Sequence, residues 1–408
     1  MYILTSDIIN IIYNQLDFIY QSNVRSVSKY FAENYPITNL FGNIPNINNL
    51  TDKILAQYQF IIKLDAWNNA KITNANHLRN LQILDAQDNC GINDNGIMLL
   101  TNLIKLDADH NDKITDINHL RNLRILDSRG KCGIRDNGIK SLTNLIELYS
   151  NDNKKITNIN HLQNLQILNA GGSCGVDDNG IRLLTNLTKL NVGNNYKITN
   201  INHLCNLQIL YASGNCGIQD NEIKTMTNLT QLDVSYNNKI TDVNCLCNLR
   251  ILCAGTTCGI NDNGIKMLTN LTKLDADCNN KITDVNHLPH LQILYAGVCC
   301  GINDNGIKML TNLTKLDADC NNKITDVNHL LNLQMLCAGG RCGINDNGIR
   351  LITNLIQLNA GCNYKITNVN HLLNLQISHT ECNSGIKMLT NLTKLDAGCN
   401  YKITNAGR

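Results

Sequence analysis

Cysteine and histidine carry the most reactive side chains in this chain, and both recur on a fixed spacing. One cysteine column runs through Cys90, Cys132, Cys174, Cys216, Cys258, Cys300 and Cys342, and a second holds Cys278, Cys320 and Cys362. A histidine column runs through His77, His119, His161, His203, His287, His329 and His371. Thiols and imidazoles in clusters would form disulfides or hold a metal ion. The local pairs His203-x-Cys205, Cys245-x-Cys247 and His287-x-x-His290 do not complete a four-ligand set. Aspartate and lysine abound, but periodic placement accounts for them. The sequence has no Walker loop, H-E-x-x-H or G-x-S-x-G, which points away from an enzyme and from any cofactor.

The columns share one period. T-N-L begins at Thr101 and returns every 42 residues to Thr353, and K-I-T does the same from Lys71 to Lys365. Each 42-residue unit is two related halves. The shorter reads L-T-K-L-D-A-D-C-N-N-K-I-T-D-V-N-H-L from Leu271 to Leu288 and advances 20 residues. The longer reads L-Q-I-L-Y-A-G-V-C-C-G-I-N-D-N-G-I-K-M-L from Leu291 to Leu310 and advances 22. The last pair is shortened, with Leu375 to Leu392 spanning 17 residues.

The L-x-x-L-x-A core predicts a short strand with alternate side chains inward. Leu274 and Ala276 are expected in the core, with Lys273, Asp275 and Asp277 outward. The asparagine of each shorter half, such as Asn279, is expected to turn the chain and bond backbone groups in its own and the neighbouring coil. Asp304 is expected to N-cap a short helix that buries Ile307 and Leu310. The shorter return has room for a turn of 3₁₀ helix. One coil alone cannot bury its apolar edge, so the coils must stack. The expected fold is an α/β solenoid: an arc or horseshoe with a parallel concave sheet and short helices or turns on its convex side.

Stacking decides what the columns can do. Members of one column are two coils apart, roughly 10 Å. A disulfide needs Cα atoms within about 7 Å, and metal ligands lie about 2 Å from a shared ion. Both cysteine columns are therefore expected to be free and largely buried, and the histidines structural. The outward strand positions carry lysine (Lys63, Lys105, Lys189, Lys273, Lys315, Lys394) and then aspartate (Asp65, Asp107, Asp233, Asp275, Asp317, Asp396) in the shorter halves. Alternate coils carry Ile83, Ile125, Ile167, Ile209, Ile251, Ile293 or Met335. This pattern predicts a ladder of ion pairs interleaved with apolar rungs, a surface suited to a protein partner. The candidate contacts are the outward residues that break the repeat, Trp67, His110, Arg129, Tyr149, Tyr211, Tyr236 and Tyr295, together with Asp107 and Asp275 of the repeating aspartate row.

The shorter half resembles the internalin-type leucine-rich repeat, carried by Asn279-x-x-Ile282-Thr283-Asp284-Val285-x-x-Leu288. The longer half resembles the cysteine-containing leucine-rich repeat of F-box proteins, carried by Cys132-x-Ile134-x-Asp136-x-Gly138-Ile139-x-x-Leu142. Together they cover about 17 coils over residues 61–408, after a connector at 46–60. Residues 1–45 lack the repeat. Helical spacing there predicts one helix from Ile3 to Leu16, N-capped by Thr5 or Ser6, and a second over residues 22–34. The segment resembles an F-box through Leu4, Asp7-Ile8-Ile9, Leu16 and Val24-x-x-Val27-Ser28-Lys29-x-Phe31, although Thr5 stands where that family often has proline. The layout is similar to F-box leucine-rich-repeat proteins of giant DNA viruses and amoebae. The resemblance implies a substrate-recognition subunit of a ubiquitin ligase, with a Skp1-like adaptor held by Leu4, Ile8, Ile9, Leu16, Val24 and Val27. The alternative is a plain binding scaffold whose head caps the first coil.

Thirty-five basic residues against 33 acidic, a formal net charge of +2, give no electrostatic reason to expect nucleic acid or an anionic membrane as partner. The first residues lack a basic leader and no long apolar run follows, so an intracellular, cytoplasmic and reducing setting is expected. The stretch Tyr401–Arg408 stops in mid-repeat without a polar cap, which predicts end-to-end self-association through an open coil edge.

Overall fold

The computed structural model describes residues 13, 16, 18–34, 36–41, 49–379, 391 and 393–396. The chain forms two compact units, Met1–Ile198 and Thr199–Arg408. In the first, α1 (Phe18–Val27) and α2 (Lys29–Asn34) precede β1 (Asn39–Leu40) and α3 (Asp52–Leu55). Then come β2 (Lys63–Asp65) and six further three-residue strands, ending at Lys189–Asn191. Each strand pairs in parallel with its successor, and the leucines align from Leu64 through Leu84 and Leu106 to Leu190. The second unit repeats the arrangement in ten described strands, from Ile209–Tyr211 to Lys394–Asp396, with Leu210 through Leu358 in one row. Each unit is thus the parallel solenoid that the period implies.

The strands are short because the alternation is short. Leu274 and Ala276 are fully buried, as are Ile282, Val285 and Leu288 on the return. Fully burying one such aliphatic side chain contributes about 1.5–3 kcal/mol, and no coil does so without its neighbours. The shorter returns close by consecutive tight turns (Leu288 N to Val285 O, 3.1 Å; Leu291 N to Leu288 O, 3.2 Å). The longer returns hold four-residue helices such as Asp304–Ile307.

Polar columns clamp coil to coil. The Asn279 side chain is buried, donates to Ala254 O (2.7 Å) and Ile260 O (3.1 Å) of the preceding coil, and accepts from Lys281 N (2.9 Å). Asn111, Asn153, Asn195, Asn237, Asn321 and Asn363 make the same bonds. Lys281 Nζ reaches Cys258 O at 3.1 Å. The K-I-T lysines and the asparagines are therefore occupied inside the stack.

The short helices correct one expectation. Asn303, not Asp304, is the N-cap: its side chain accepts from Asn305 N (2.9 Å) and Gly306 N (3.2 Å). Asp304 is the first helical residue, and its carboxylate accepts from Thr325 N (2.7 Å), Thr325 Oγ1 (2.6 Å) and Asp326 N (3.2 Å) in the next coil. With the cap satisfied by Asn303, the neighbouring carboxylate is free to clasp the following K-I-T turn. The preceding coil explains the glycine at the third helical place. A Cβ on Gly306 would overlap Thr283 O of the preceding coil. Glu222 replaces that glycine once, and its carboxylate accepts from Gln219 N at 3.2 Å, where Gln219 makes no asparagine-type cap.

The head is tied to the first coil. β1 pairs with β2. Gln21, fully buried, donates to Tyr13 O (2.9 Å) and Thr38 Oγ1 (2.9 Å) and accepts from Thr38 N (3.0 Å). The predicted helix from Ile3 to Leu16 falls mostly outside the described residues, as does the terminus Tyr401–Arg408. Among the described residues no helix is long and apolar enough to cross a membrane.

Replacing Asn279 with alanine strands two carbonyls and one amide in the interior. The expected loss is about 3 kcal/mol by urea unfolding, against about 1 kcal/mol for Asn303→Ala, which removes only a helix cap. Equal, small losses for both would contradict the clamp.

Candidate binding face

The histidine column is spent on backbone. The Nε2 atoms of His119, His287, His329 and His371 donate to carbonyls 22 residues earlier at 3.0–3.1 Å. At Cys245 a thiol fills the same place against Ile223 O. Among the described residues no cluster of three or more His, Cys, Asp or Glu side chains could hold a metal ion. The first cysteine column is free and buried, from Cys90 to Cys342, and burial pushes Cys132 up to about 12. The second column departs from expectation: Cys278 is half-buried, and Cys320 and Cys362 are exposed. All three sit at the corner just past a strand with φ of 56–58°, where the backbone turns away from the core.

With those columns occupied, the strand face carries the coil-to-coil variety. In the first unit its middle row runs Asp65, Asp85, Asp107, Asp127, Tyr149 and Asn169 in register. These carboxylates are half-buried or buried and stand on adjacent strands. Burial, with like charge from Asp127 and Asp85, raises Asp107 to about 7. Burial above all raises Asp85 to about 6. Gln87 spans the two, with Nε2 at 3.0 Å from Asp85 Oδ2 and from Asp107 Oδ2. Arg129 closes the row: its Nε lies 2.8 and 2.9 Å from the Asp127 carboxylate, and its guanidinium also reaches Asp109 at 3.3 Å. His110 Nδ1 meets Asp109 at 2.7 Å. Trp67 is half exposed, with its indole donating to Asp88 at 2.7 Å. Tyr149 donates to Glu147 at 2.8 Å.

In the second unit Tyr211 accepts from Gln231 Nε2 at 3.2 Å. Asp275 stands between Cys253 and Tyr295. Lys273 and Lys315 lie 5.2 and 4.9 Å from the Tyr295 ring centroid, and Lys315 Nζ donates to its hydroxyl at 3.1 Å. Tyr236 is exposed at a corner. Around Tyr295 the expected Lys–Asp ion pairs give way to contacts with the ring. The two residues are one strand repeat, roughly 6.5 Å, apart, while the neighbouring strand is only ~4.8 Å away, so these lysines turn sideways onto the tyrosine.

Of the head residues, Leu4, Ile8 and Ile9 lie outside the described residues, Leu16 and Val24 are half-buried, and Val27 closes α1. Sequence reasoning missed a groove of about 630 Å³ along the entry edge of the first unit's strands, lined by Tyr13, Thr38, Phe60, Ile62, Gln82, Ile104 and Arg124.

A family model described as leucine-rich repeats in two copies matches residues 205–248. A leucine-rich-repeat protein of Leptospira interrogans is similar in structure at 21% identity, with a TM-score of 0.57 over 84% of this chain and 97% of that one. The protein in a TLR13–ssRNA13 complex is similar at 20% identity, with a TM-score of 0.54; the match covers 88% of this chain and 64% of that one. No curated protein sequence matches the chain. These likenesses show the leucine-rich-repeat fold.

Asp85 and Asp107 keep their protons in the folded state at pH values where the unfolded chain has lost them. Stability therefore rises as pH falls from about 7 toward 4, and that contribution is lost as pH rises through the folded values. NMR titration of the carboxyl carbons should place Asp107 near neutrality, and Asp107→Asn should stabilise the protein above about pH 8 while flattening the dependence. A midpoint in the ordinary aspartate range would contradict this environment.

Proposed function

We propose that this chain is a protein-binding scaffold that holds its partner on the strand face and performs no chemistry of its own. One observation carries the reading. The recurring Asn, Asp, Thr and His columns bond one coil to the next, whereas the face changes from carboxylates to tyrosine, asparagine and thiol along the register. The fold does not require that variation, and half-buried charge beside aromatic and apolar rungs suits an interface. Trp67, Asp107, Arg129 and Tyr149 are the proposed contacts in the first unit, and Tyr211, Asp275 and Tyr295 in the second. The leucine-rich-repeat fold serves many partners, so the partner must be read from this surface. The reading sets the protein in a reducing, intracellular compartment, which suits its many free thiols.

A narrower reading makes the chain the substrate receptor of a ubiquitin ligase. Its support is the head's sequence: Leu4, Asp7-Ile8-Ile9 and Val24-x-x-Val27 in the order an F-box uses. The scaffold would then raise the effective concentration of a substrate lysine by proximity. The bonds of Gln21 and the pairing of β1 with β2 favour a cap, so an adaptor would have to dock without freeing them.

One measurement tests the face and a second separates the two readings of the head. Asp107→Lys with Trp67→Ala should weaken a captured partner roughly tenfold or more, while Lys140→Glu on the return side leaves it bound; the reverse would overturn the face assignment. A purified Skp1-type adaptor should bind the folded chain and lose Ile8→Asp/Ile9→Asp if the narrower reading holds, and no binding by folded protein would leave the head a cap.

A further inference from the structure

Among the described residues, the corner after one strand after another is left-handed. In the second unit the corner residues include Tyr236, Cys278, Cys320 and Cys362 in one set of coils, and Gly214, Cys299 and Gly340 in the alternate set. Non-glycine residues seldom adopt this conformation, so its recurrence fixes where each corner side chain points. Cys320 N donates to Gly339 O at 3.0 Å, and Cys278 N donates to Val298 O at 2.8 Å. The residue after each accepting carbonyl is Gly340 in one case and Cys299 in the other, and both have φ between 53 and 60°. Cys299 therefore stands to Cys278 as Gly340 stands to Cys320. A Cβ added at Gly340 would meet Cys320 Sγ at 2.5 Å. Cys299 has the Cβ that Gly340 lacks, so the Cys278 sulfur cannot stand where Cys320 Sγ does, but the two side chains leave equivalent neighbouring corners toward the same space. Neighbouring coils are ~4.8 Å apart, within the Cα separation that a disulfide spans. Cys299 is exposed and Cys278 half-buried, so reagent can reach them. Burial raises the Cys278 thiol, and the charge of Cys299 is among the further causes.

We propose that Cys278 and Cys299 are an oxidisable dithiol site, which takes a small disulfide such as oxidised glutathione and closes into a disulfide between two neighbouring coils. The exposed Cys299 thiolate attacks one sulfur of glutathione disulfide, and one glutathione thiolate leaves. The Cys278 thiolate then attacks the Cys299 sulfur of the mixed disulfide and expels the second glutathione. Two protein thiols are oxidised, one glutathione disulfide is reduced to two thiols, and the two protein protons end on the leaving thiolates. The buried column cannot compete, because desolvation disfavours its thiolates. Excess thiol reverses the step, so the site responds to the surrounding redox poise.

The test uses the full chain incubated with oxidised glutathione, alkylated, digested without reduction and analysed by mass spectrometry. A peptide joining Cys278 to Cys299 should be the principal internal disulfide. In Cys278→Ser, Cys299 should retain glutathione instead of releasing it, because the resolving thiol is gone; in Cys299→Ser no cross-link should form. Reduced wild type should also capture phenylarsine oxide at these two residues, a readout that needs no substitution. Both cysteines alkylated, both carrying separate glutathiones, or Cys299 joined to Cys320 would each overturn the pairing.

Discussion

A buried amide sets the terms for the whole stack. Parallel coils with tight turns leave backbone carbonyls pointing into the interior between one coil and the next, where water does not reach. The asparagine that follows each shorter strand is short enough to stay inside the turn and carries donors and an acceptor on one planar group. Asn279 meets two carbonyls of the preceding coil and one amide of its own. Leaving such groups unpaired costs more than most side-chain contacts return. The close approach that these bonds enforce then limits the neighbours, down to the absent Cβ at Gly306.

The second layer of clamps follows from that spacing. Once coils sit this near, Asp304 reaches the next K-I-T turn, His287 reaches Ile265 O, and Asn286 joins Asn305 O at 2.7 Å. Side chains that look reactive in isolation are committed to the frame. What the frame leaves over is the strand face, where carboxylates are held half out of water on adjacent strands and one arginine is shared by two of them. A surface with such unsettled charge gains when a complementary partner covers it, which links the packing constraint to binding.

Much of this was legible in the residues. The 42-residue period, the inward leucines and the turn asparagines fixed the solenoid, because each is a local pattern with a single geometric meaning. That the Cys90 column stays unpaired followed from its spacing, but its burial did not, since the Cys278 column has the same spacing and is half-buried or exposed. The role of Asp304 did not, since Asn303 and Asp304 are equally good caps by type and the deciding partner, Thr325, lies in another coil. Lys273 and Lys315 were paired with aspartates because charge is visible in sequence and a ring on the adjacent strand is not. The exposure of Cys320 turned on a left-handed corner that no residue type announces. Gln87 escaped notice for a similar reason, as its two carboxylates come from different strands.

Native-state hydrogen exchange of the unmodified protein tests the amide clamp most directly. The backbone amides of Lys113, Lys155, Lys239, Lys281 and Lys323 donate to the turn asparagines and should exchange as slowly as the strand amides, opening only when a stack of coils opens. Exchange of these amides at the rate of exposed turns, with the strands still protected, would contradict an asparagine rail as the element that holds coil to coil.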